Sequence, residues 1–337
     1  MATIYEVSEL AGVSLATVSR VMNGSANVSV RTEEKVQKAM KKLGYTPNSA
    51  AISLASKRSN CIGILVAELD GVFFGGMMQG IESELRIHRK HAVITAGHAD
   101  REHEKKGIEF LKSRNCDALI LHAESLSDEY LIELSKDKTP VYLLNRLIPE
   151  ISSRCISLDD YHGGLLAAQY ILDHGHTQVV CISGPKNKND AMARVNGLKT
   201  AFLNKGLPFN QELVYEGDFL QQSGVKAIDH FLAQNISFTA IVCGNDQMAI
   251  GAMARLRENN ITPAVDVAII GFDDVTFASC TFPKLTTVQY PIEEMGKTAA
   301  CLALKEIYNI QSDAVARVFD PVLIERDSVQ MVNKSET

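Results

Sequence analysis

Apolar residues recur along the first 45 positions at the spacing of short helices. Ile4, Val7 and Ala11 fall at i, i+3 and i+7, and Gly12 then breaks the stripe. Ser14 suits the N-cap of a second helix over about residues 15–22, with Val18, Val21 and Met22 turned inward. In "SVRTEEKVQKAMKKLGYTP", Ser29 caps a third helix, Glu33 and Glu34 open it, and Val36, Met40 and Leu43 form its buried stripe. Lys41 and Lys42 close that helix, Gly44 ends it and Pro47 forbids continuation. Two short helices joined by a tight glycine-bearing turn make a helix-turn-helix.

From Cys61 the pattern changes to short apolar runs: "CIGILVAEL", "HAVITA", "DALILHA", "VYLLN", "CISL", "QVVCIS", "AIVCG" and "VAIIGFDD". Helical stretches such as "GGMMQGIESELRIH" and "QMAIGAMARLRENN" separate them. Runs of this length, rich in Val and Ile, indicate parallel strands covered on both faces by helices, so the body is α/β. It is long for one sheet, and the change near Asp159 and Asp160 suggests that the layout is repeated.

Charge divides the chain at the same place. Residues 1–58 hold eight of the 34 Lys and Arg and four of the 40 Asp and Glu, so the head is +4 and the remainder −10. A basic head on an acidic body points to a head that meets a polyanion and a body that stays off it. Seven scattered cysteines, with no CxxC pair, read as small buried thiols in a reducing compartment. "HGH" at His174–His176 lacks a further ligand set, so no metal or cofactor is expected. No run approaches the roughly 18 apolar residues of a membrane span, and the first residues lack a secretory layout. A cytoplasmic protein, bound to the nucleoid when on DNA, is expected.

With Val18, Val21 and Met22 inward, the second helix presents Leu15, Ala16, Thr17, Ser19 and Arg20, the face that a helix-turn-helix lays in the major groove. Arg20 can donate twice to guanine or phosphate; Thr17 and Ser19 reach phosphates, and Leu15 and Ala16 can touch thymine methyls. Arg31, Lys35, Lys57 and Arg58 add candidate phosphate contacts. A small helical protein-interaction module with a solvated polar face is the alternative for this stretch taken alone.

"VSLATVSRVMNG" followed by "VSVRTEEKVQKAMKKLGYTPN" resembles the amino-terminal signature of the LacI/GalR family of bacterial transcription repressors. The resemblance continues through "FFGGMMQGIE", "NRLIP", "SLDDYHGG", "RVNGLKTAF", "CGNDQMAIGAM" and "PKLTTVQYPI", and is nearest in pattern to the galactose repressors. It implies a helix-turn-helix domain over 1–47, a hinge helix or linker over 48–59, and an effector-binding and dimerisation domain over 60–337. The last is implied to be two Rossmann-like lobes of periplasmic-binding-protein type, about 60–157 with 290–319 and about 158–289 with 320–333. The implied DNA contacts are Thr3, Ser14, Leu15, Ala16, Thr17, Ser19, Arg20 and Asn23, with Asn48, Ala51 and the minor-groove wedge Leu54 in the hinge. Many relatives carry Arg where this chain has Ile52.

Polar and aromatic residues just after the apolar runs form a coherent set, because ligands bind beyond the carboxyl ends of strands in open α/β sheets. They are Phe73 and Phe74, Asn145 and Arg146, Asn245 and Asp246, and Asp273 and Asp274. Carboxylates, amides and an arginine suit a hydroxyl-rich ligand, and an aromatic face suits a sugar's C–H surface. The resemblance places the sugar contacts on Phe73, Phe74, Asn145, Arg146, Arg194, Phe219, Asn245, Asp273 and Gln289, with Asp160 beside them. No phosphate-binding glycine loop, dinucleotide fingerprint or nucleophile elbow is present, so no catalytic residue is expected; a sugar-processing enzyme is the remote alternative. The implied partners are double-stranded operator DNA, a small sugar, D-galactose or else another sugar or glycoside, and a second copy of the chain. The helix near Met77–Leu85 and the strand near Ala118–Leu121 are the expected dimer contacts, with a higher oligomer as the alternative.

Overall fold

A computed structural model of the chain describes residues 2–22, 28–46, 58–311 and 316–332. It divides into two compact units, Met1–Asn60 and Cys61–Thr337. The expectations for Asn23, Pro47, Asn48, Ala51, Ile52, Leu54 and Lys57 fall outside the described residues.

The first unit holds α1 (Ile4–Ala11), α2 (Leu15–Met22) and α3 (Val30–Leu43). Thr3 and Glu6 form a reciprocal capping box: Thr3 Oγ1 accepts from Glu6 N, and Thr3 N donates to the Glu6 carboxylate at 2.7 Å. Gly12 ends α1 at φ 65°, a left-handed conformation that costs a residue without Cβ little. Ser14 Oγ accepts from Thr17 N at 3.2 Å, and Ser29 does the same for Thr32 N at the start of α3. Val7, Ala11, Val18, Val36 and Ala39 form the core, with Val21, Met22, Met40 and Leu43 packed against it. Such a small core gains only about 1.5–3 kcal/mol from each fully buried valine, so every cap matters.

Along the second unit run β1 (Cys61–Val66), α4 (Val72–Ile87), β2 (His91–Ala96), α5 (Arg101–Ser113), β3 (Ala118–Leu121), α6 (Asp128–Leu134), β4 (Val141–Leu144) and β5 (Cys155–Leu158). There follow α7 (Asp160–Asp173), β6 (Val179–Ser183), α8 (Asn189–Asn204), β7 (Val214–Glu216), α9 (Gln221–Ala233), β8 (Ala240–Cys243), α10 (Asp246–Glu258) and β9 (Ala268–Asp273). The last elements are β10 (Thr286–Gln289), α11 (Ile292–Tyr308), β11 (Val318–Phe319) and β12 (Val322–Ile324).

These strands make two six-stranded sheets, ordered β11-β5-β4-β3-β1-β2 and β12-β10-β9-β8-β6-β7. Every pairing is parallel except β10 with β12. Seven of the eight apolar runs are inner strands and the eighth, β2, is an edge strand, while β7, β11 and β12 have two or three residues, too few to show a period. The chain passes from one sheet to the other after β5, returns after β10 and passes again after β11. Helices cover both faces of each sheet, and one apolar core runs from Ile64 and Ile120 of the first lobe to Ile270 and Val288 of the second. α7 and α8 approach closely: a Cβ on Gly164 would lie 2.1 Å from Arg194 O, and one on Gly197 2.1 Å from Tyr161 O.

The elements expected at the dimer contact bury their apolar side chains within this unit. Met77, Ile81 and Leu85 of α4 and all of Ala118–Leu121 are buried within the unit, because β3 is an inner strand and α4 packs on α11.

Candidate ligand cleft and nucleic-acid interface

Loops at the carboxyl ends of both sheets face each other across a cleft of about 260 Å³. From the first lobe, Phe73 and Phe74 open α4, His122 and Glu124 follow β3, and Asn145 follows β4. From the second come Lys188, Asp190 and Arg194 at and within the start of α8, Asp218 and Phe219 after β7, Asn245 before α10, and Asp273 closing β9. Backbone conformation marks the same loops: Asn145, Phe219, Asp273 and Asp274 have φ of 58°, 68°, 104° and 55°, and such strain concentrates where side-chain aim matters.

Arg194 organises the floor. It is buried; Nε donates to Asp160 Oδ1 at 2.8 Å, Nη1 donates to Gly244 O at 2.6 Å, and Nη1 lies 3.7 Å from Asp273 Oδ1. Its guanidinium stacks 3.7 Å from the centre of the Phe272 ring. Burial disfavours its charge, but Asp160 and Asp273 outweigh that and hold its pKa above the ordinary value. Burial pushes Asp160 up to about 6 against the opposing pull of Arg194, and raises Asp273 well above the usual carboxylate range.

Asn245 is fixed at both ends, Oδ1 accepting from Met248 N and Nδ2 donating to Phe219 O, each at 2.9 Å. Beneath it Asp246, fully buried, accepts from Thr287 Oγ1 at 2.6 Å and from Val275 N at 2.9 Å. Burial lifts its pKa to about 7. Asp246 therefore ties the loop carrying Asn245 to the loop carrying Asp273.

Two contacts cross the cleft. Lys188 Nζ pairs with Glu124 Oε2 at 2.5 Å, and Asn145 Nδ2 donates to Asp190 Oδ2 at 3.1 Å. Tyr290 Oη donates to Asn145 Oδ1 at 2.5 Å.

Of the expected ligand residues, Phe73, Phe74, Asn145, Arg194, Phe219, Asn245 and Asp273 converge on this cavity. Three stand behind its wall. Arg146 turns away, Nη2 pairing with Asp128 Oδ1 at 2.6 Å and Nη1 donating to Leu126 O at 2.7 Å. Asp160 reaches the cleft only through Arg194, and Gln289 Nε2 donates to Asp274 Oδ2 at 3.4 Å. His122, Glu124, Lys188, Asp190 and Asp218 were missing from the expected set. The rule that found Asn145, a polar residue just after an apolar strand, applies equally to His122 after "ALIL", whereas Lys188 stands five residues beyond "VVCIS", at the N-cap of α8.

On α2 of the first unit, Val18 is buried while Leu15, Ala16, Ser19 and Arg20 are exposed. The Ser14 and Thr17 hydroxyls lie 2.9 Å apart, and Thr3 Oγ1 donates to the Glu6 carboxylate at 3.0 Å, so these three also serve the helix caps. Among the described residues no group of His, Cys, Asp and Glu could hold a metal ion, and no helix is long and apolar enough to cross a membrane.

Residues 3–48 match the family model described as bacterial regulatory proteins, lacI family. Residues 59–328 match periplasmic binding proteins and sugar binding domain of LacI family. The chain is 37% identical over 329 residues to the HTH-type transcriptional regulator GalR of Escherichia coli K12, covering 98% of this chain and 96% of that one. It is 33% identical over 338 residues to the HTH-type transcriptional repressor PurR of Vibrio cholerae, covering 99% and 100%. A crystal structure of the lac repressor dimer bound to operator and the anti-inducer ONPF superposes with a TM-score of 0.84 at 28% identity, covering 98% and 99%.

Proposed function

Because this chain belongs to the LacI family of bacterial regulatory proteins, we propose that it is a cytoplasmic repressor of sugar-utilisation genes, released from operator DNA by D-galactose. The cleft carries this reading. Arg194, Asn145, Asn245 and Asp273 offer paired donors and acceptors for hydroxyls, beside the rings of Phe73, Phe74 and Phe219. A volume of about 260 Å³ suits a single sugar ring. "NRLIPEISSRCISLDD" and "PKLTTVQYP", the stretches in the pattern of galactose repressors, contribute Asn145, Asp160 and Gln289 in or behind the wall. The carboxylates act as hydroxyl partners, and the protein performs no catalysis.

In the operator complex, α2 enters the major groove with Leu15 and Ala16 reading bases and Ser14, Thr17, Ser19 and Arg20 holding the duplex. Thr3, Asn23 and the hinge residues Asn48, Ala51 and Leu54 complete the contact. The functional unit is a homodimer, so that two heads read a pseudo-palindrome. Its body contact is the shallow groove lined by Val72, Ile250, Phe277 and Cys280; Phe282, next in the chain to the groove's Thr281, is 89% exposed.

Sugar in the cleft releases DNA only by binding the released arrangement of the lobes more tightly than the operator-bound one. A coupling of about 1–3 kcal/mol changes operator affinity roughly 5- to 150-fold. The test is a gel shift with the palindromic operator of the protein's own sugar locus. Galactose dissociates the complex, and Arg20→Ala abolishes it without changing sugar affinity. Indifference to galactose but response to another sugar overturns the effector assignment alone; parallel loss of DNA and sugar binding in Arg20→Ala overturns the role of α2.

A further inference from the structure

Among the described residues, His122 alone has buried side-chain nitrogens with no hydrogen-bond partner, and both of its ring nitrogens are in that state. The residue is 3% exposed and forms part of the cleft wall. Its nearest charged neighbour, Glu124, keeps Oε1 3.6 Å from Nδ1, beyond hydrogen-bond reach.

The sheet sets where the ring sits. His122 N donates to Leu65 O at 2.9 Å, continuing the pairing of β3 with β1. Phe73 and Phe74 then clamp the imidazole edge-on, with ring centres 6.3 and 5.3 Å away. An apolar side chain would fill the same space without leaving two polar atoms unsatisfied, and a buried unsatisfied group opposes folding. Burial holds the imidazole below its ordinary pKa despite Glu124 and Asp190, and the charge of Glu124 is taken up by Lys188 from the other lobe. The ring is thus neutral, with one nitrogen donating and the other accepting.

Resting on the sugar-effector reading above, we propose that His122 is a specificity-determining residue that hydrogen-bonds a hydroxyl of the bound sugar. A neutral imidazole suits an uncharged hydroxyl, which can give or take the proton of the bond. The two unpaired nitrogens buried in the cleft wall then favour a ligand whose hydroxyl reaches one of them, and count against a ligand that places none there.

Calorimetric titration of the full chain with D-galactose and its monodeoxy derivatives tests this in wild type, H122F and H122N. H122F should bind galactose about 10-fold or more weakly, H122N should recover part of the loss, and operator binding should persist in both. One deoxy sugar should bind wild type as weakly as galactose binds H122F, and H122F should not distinguish the two. Galactose affinity in H122F within twofold of wild type overturns the proposal, as does wild-type discrimination among all the deoxy sugars in H122F. If H122F does not fold, H122N decides: altered deoxy preference supports the contact and unaltered preference overturns it. Absence of binding by wild type to every sugar overturns the sugar reading and this inference together, whereas equal binding by wild type and H122F removes His122 alone.

Discussion

Replacing Arg194 with Met keeps most of the side chain's volume and removes its charge, which isolates what the guanidinium does. In the intact protein it lies 2.8 Å from Asp160 and 3.7 Å from Asp273, and all three side chains are at most 10% exposed. The variant leaves two buried carboxylates without their cation, a change that costs about 3–5 kcal/mol. For a unit of this size each kcal/mol shifts the midpoint by about 2–4 °C, so the drop at pH 8 should be roughly 6–20 °C. The sign of the pH dependence follows from the direction of the shifts. Burial already raises Asp160 to about 6 and Asp273 well above the usual carboxylate range, and loss of Arg194 raises both again. An acid whose folded pKa is raised is tolerated when protonated, and the penalty appears as pH climbs through that pKa. Thermal unfolding of wild type and Arg194→Met at pH 5 and pH 8 should therefore show a deficit several degrees smaller at pH 5. An equal deficit at the two pH values, or one below about 2 °C at pH 8, would refute the reasoning.

Asp246 offers a second pH test: with its folded pKa raised by burial to about 7, the stability it lends is present at low pH and lost as pH rises through 7. Asp246→Asn should flatten the fall in unfolding midpoint between about pH 4 and 7, while Asp246→Ala, which frees Val275 N and Thr287 Oγ1, should weaken sugar binding. Gly197→Ala places a methyl against Tyr161 O and should lower stability by about 1–3 kcal/mol in denaturant titrations, with weaker sugar binding because α8 carries Arg194. Lys188→Ala and Glu124→Ala should each weaken sugar binding about 3- to 5-fold, consistent with a partly exposed pair worth up to about 1 kcal/mol. The double variant should be no weaker than either single one, since both remove the same bridge; additive losses in calorimetry would contradict it.

Much of this architecture is legible before any folding. Inner strands such as Ala118–Leu121 and Val141–Leu144 read as unbroken apolar runs because both faces of a parallel strand are covered. Asn145, Asn245 and Asp273 are found by position alone, as the polar residues that follow such runs. Arg146 obeys the same positional rule yet leaves the cleft, since Asp128 and the Leu126 carbonyl are nearer partners, contributed by a different segment. Nothing in the local sequence of Met77–Leu85 says that its apolar face meets α11 rather than a second subunit.

By itself, then, the sequence determined what depends on neighbours along the chain: caps, helix faces, strand runs, the split of charge and the residues at strand ends. Periodicity and propensity are local, and they survive without knowledge of the partner. Contacts that depend on distance across the fold came with tertiary packing: Asp160 and Asp273 share one arginine, Lys188 meets Glu124 across the cleft, and the ring nitrogens of His122 are buried without a hydrogen-bond partner. Those pairings join residues 34, 79 and 64 positions apart or leave one residue alone, and no one-dimensional pattern records which side chains a closing cleft will place within reach.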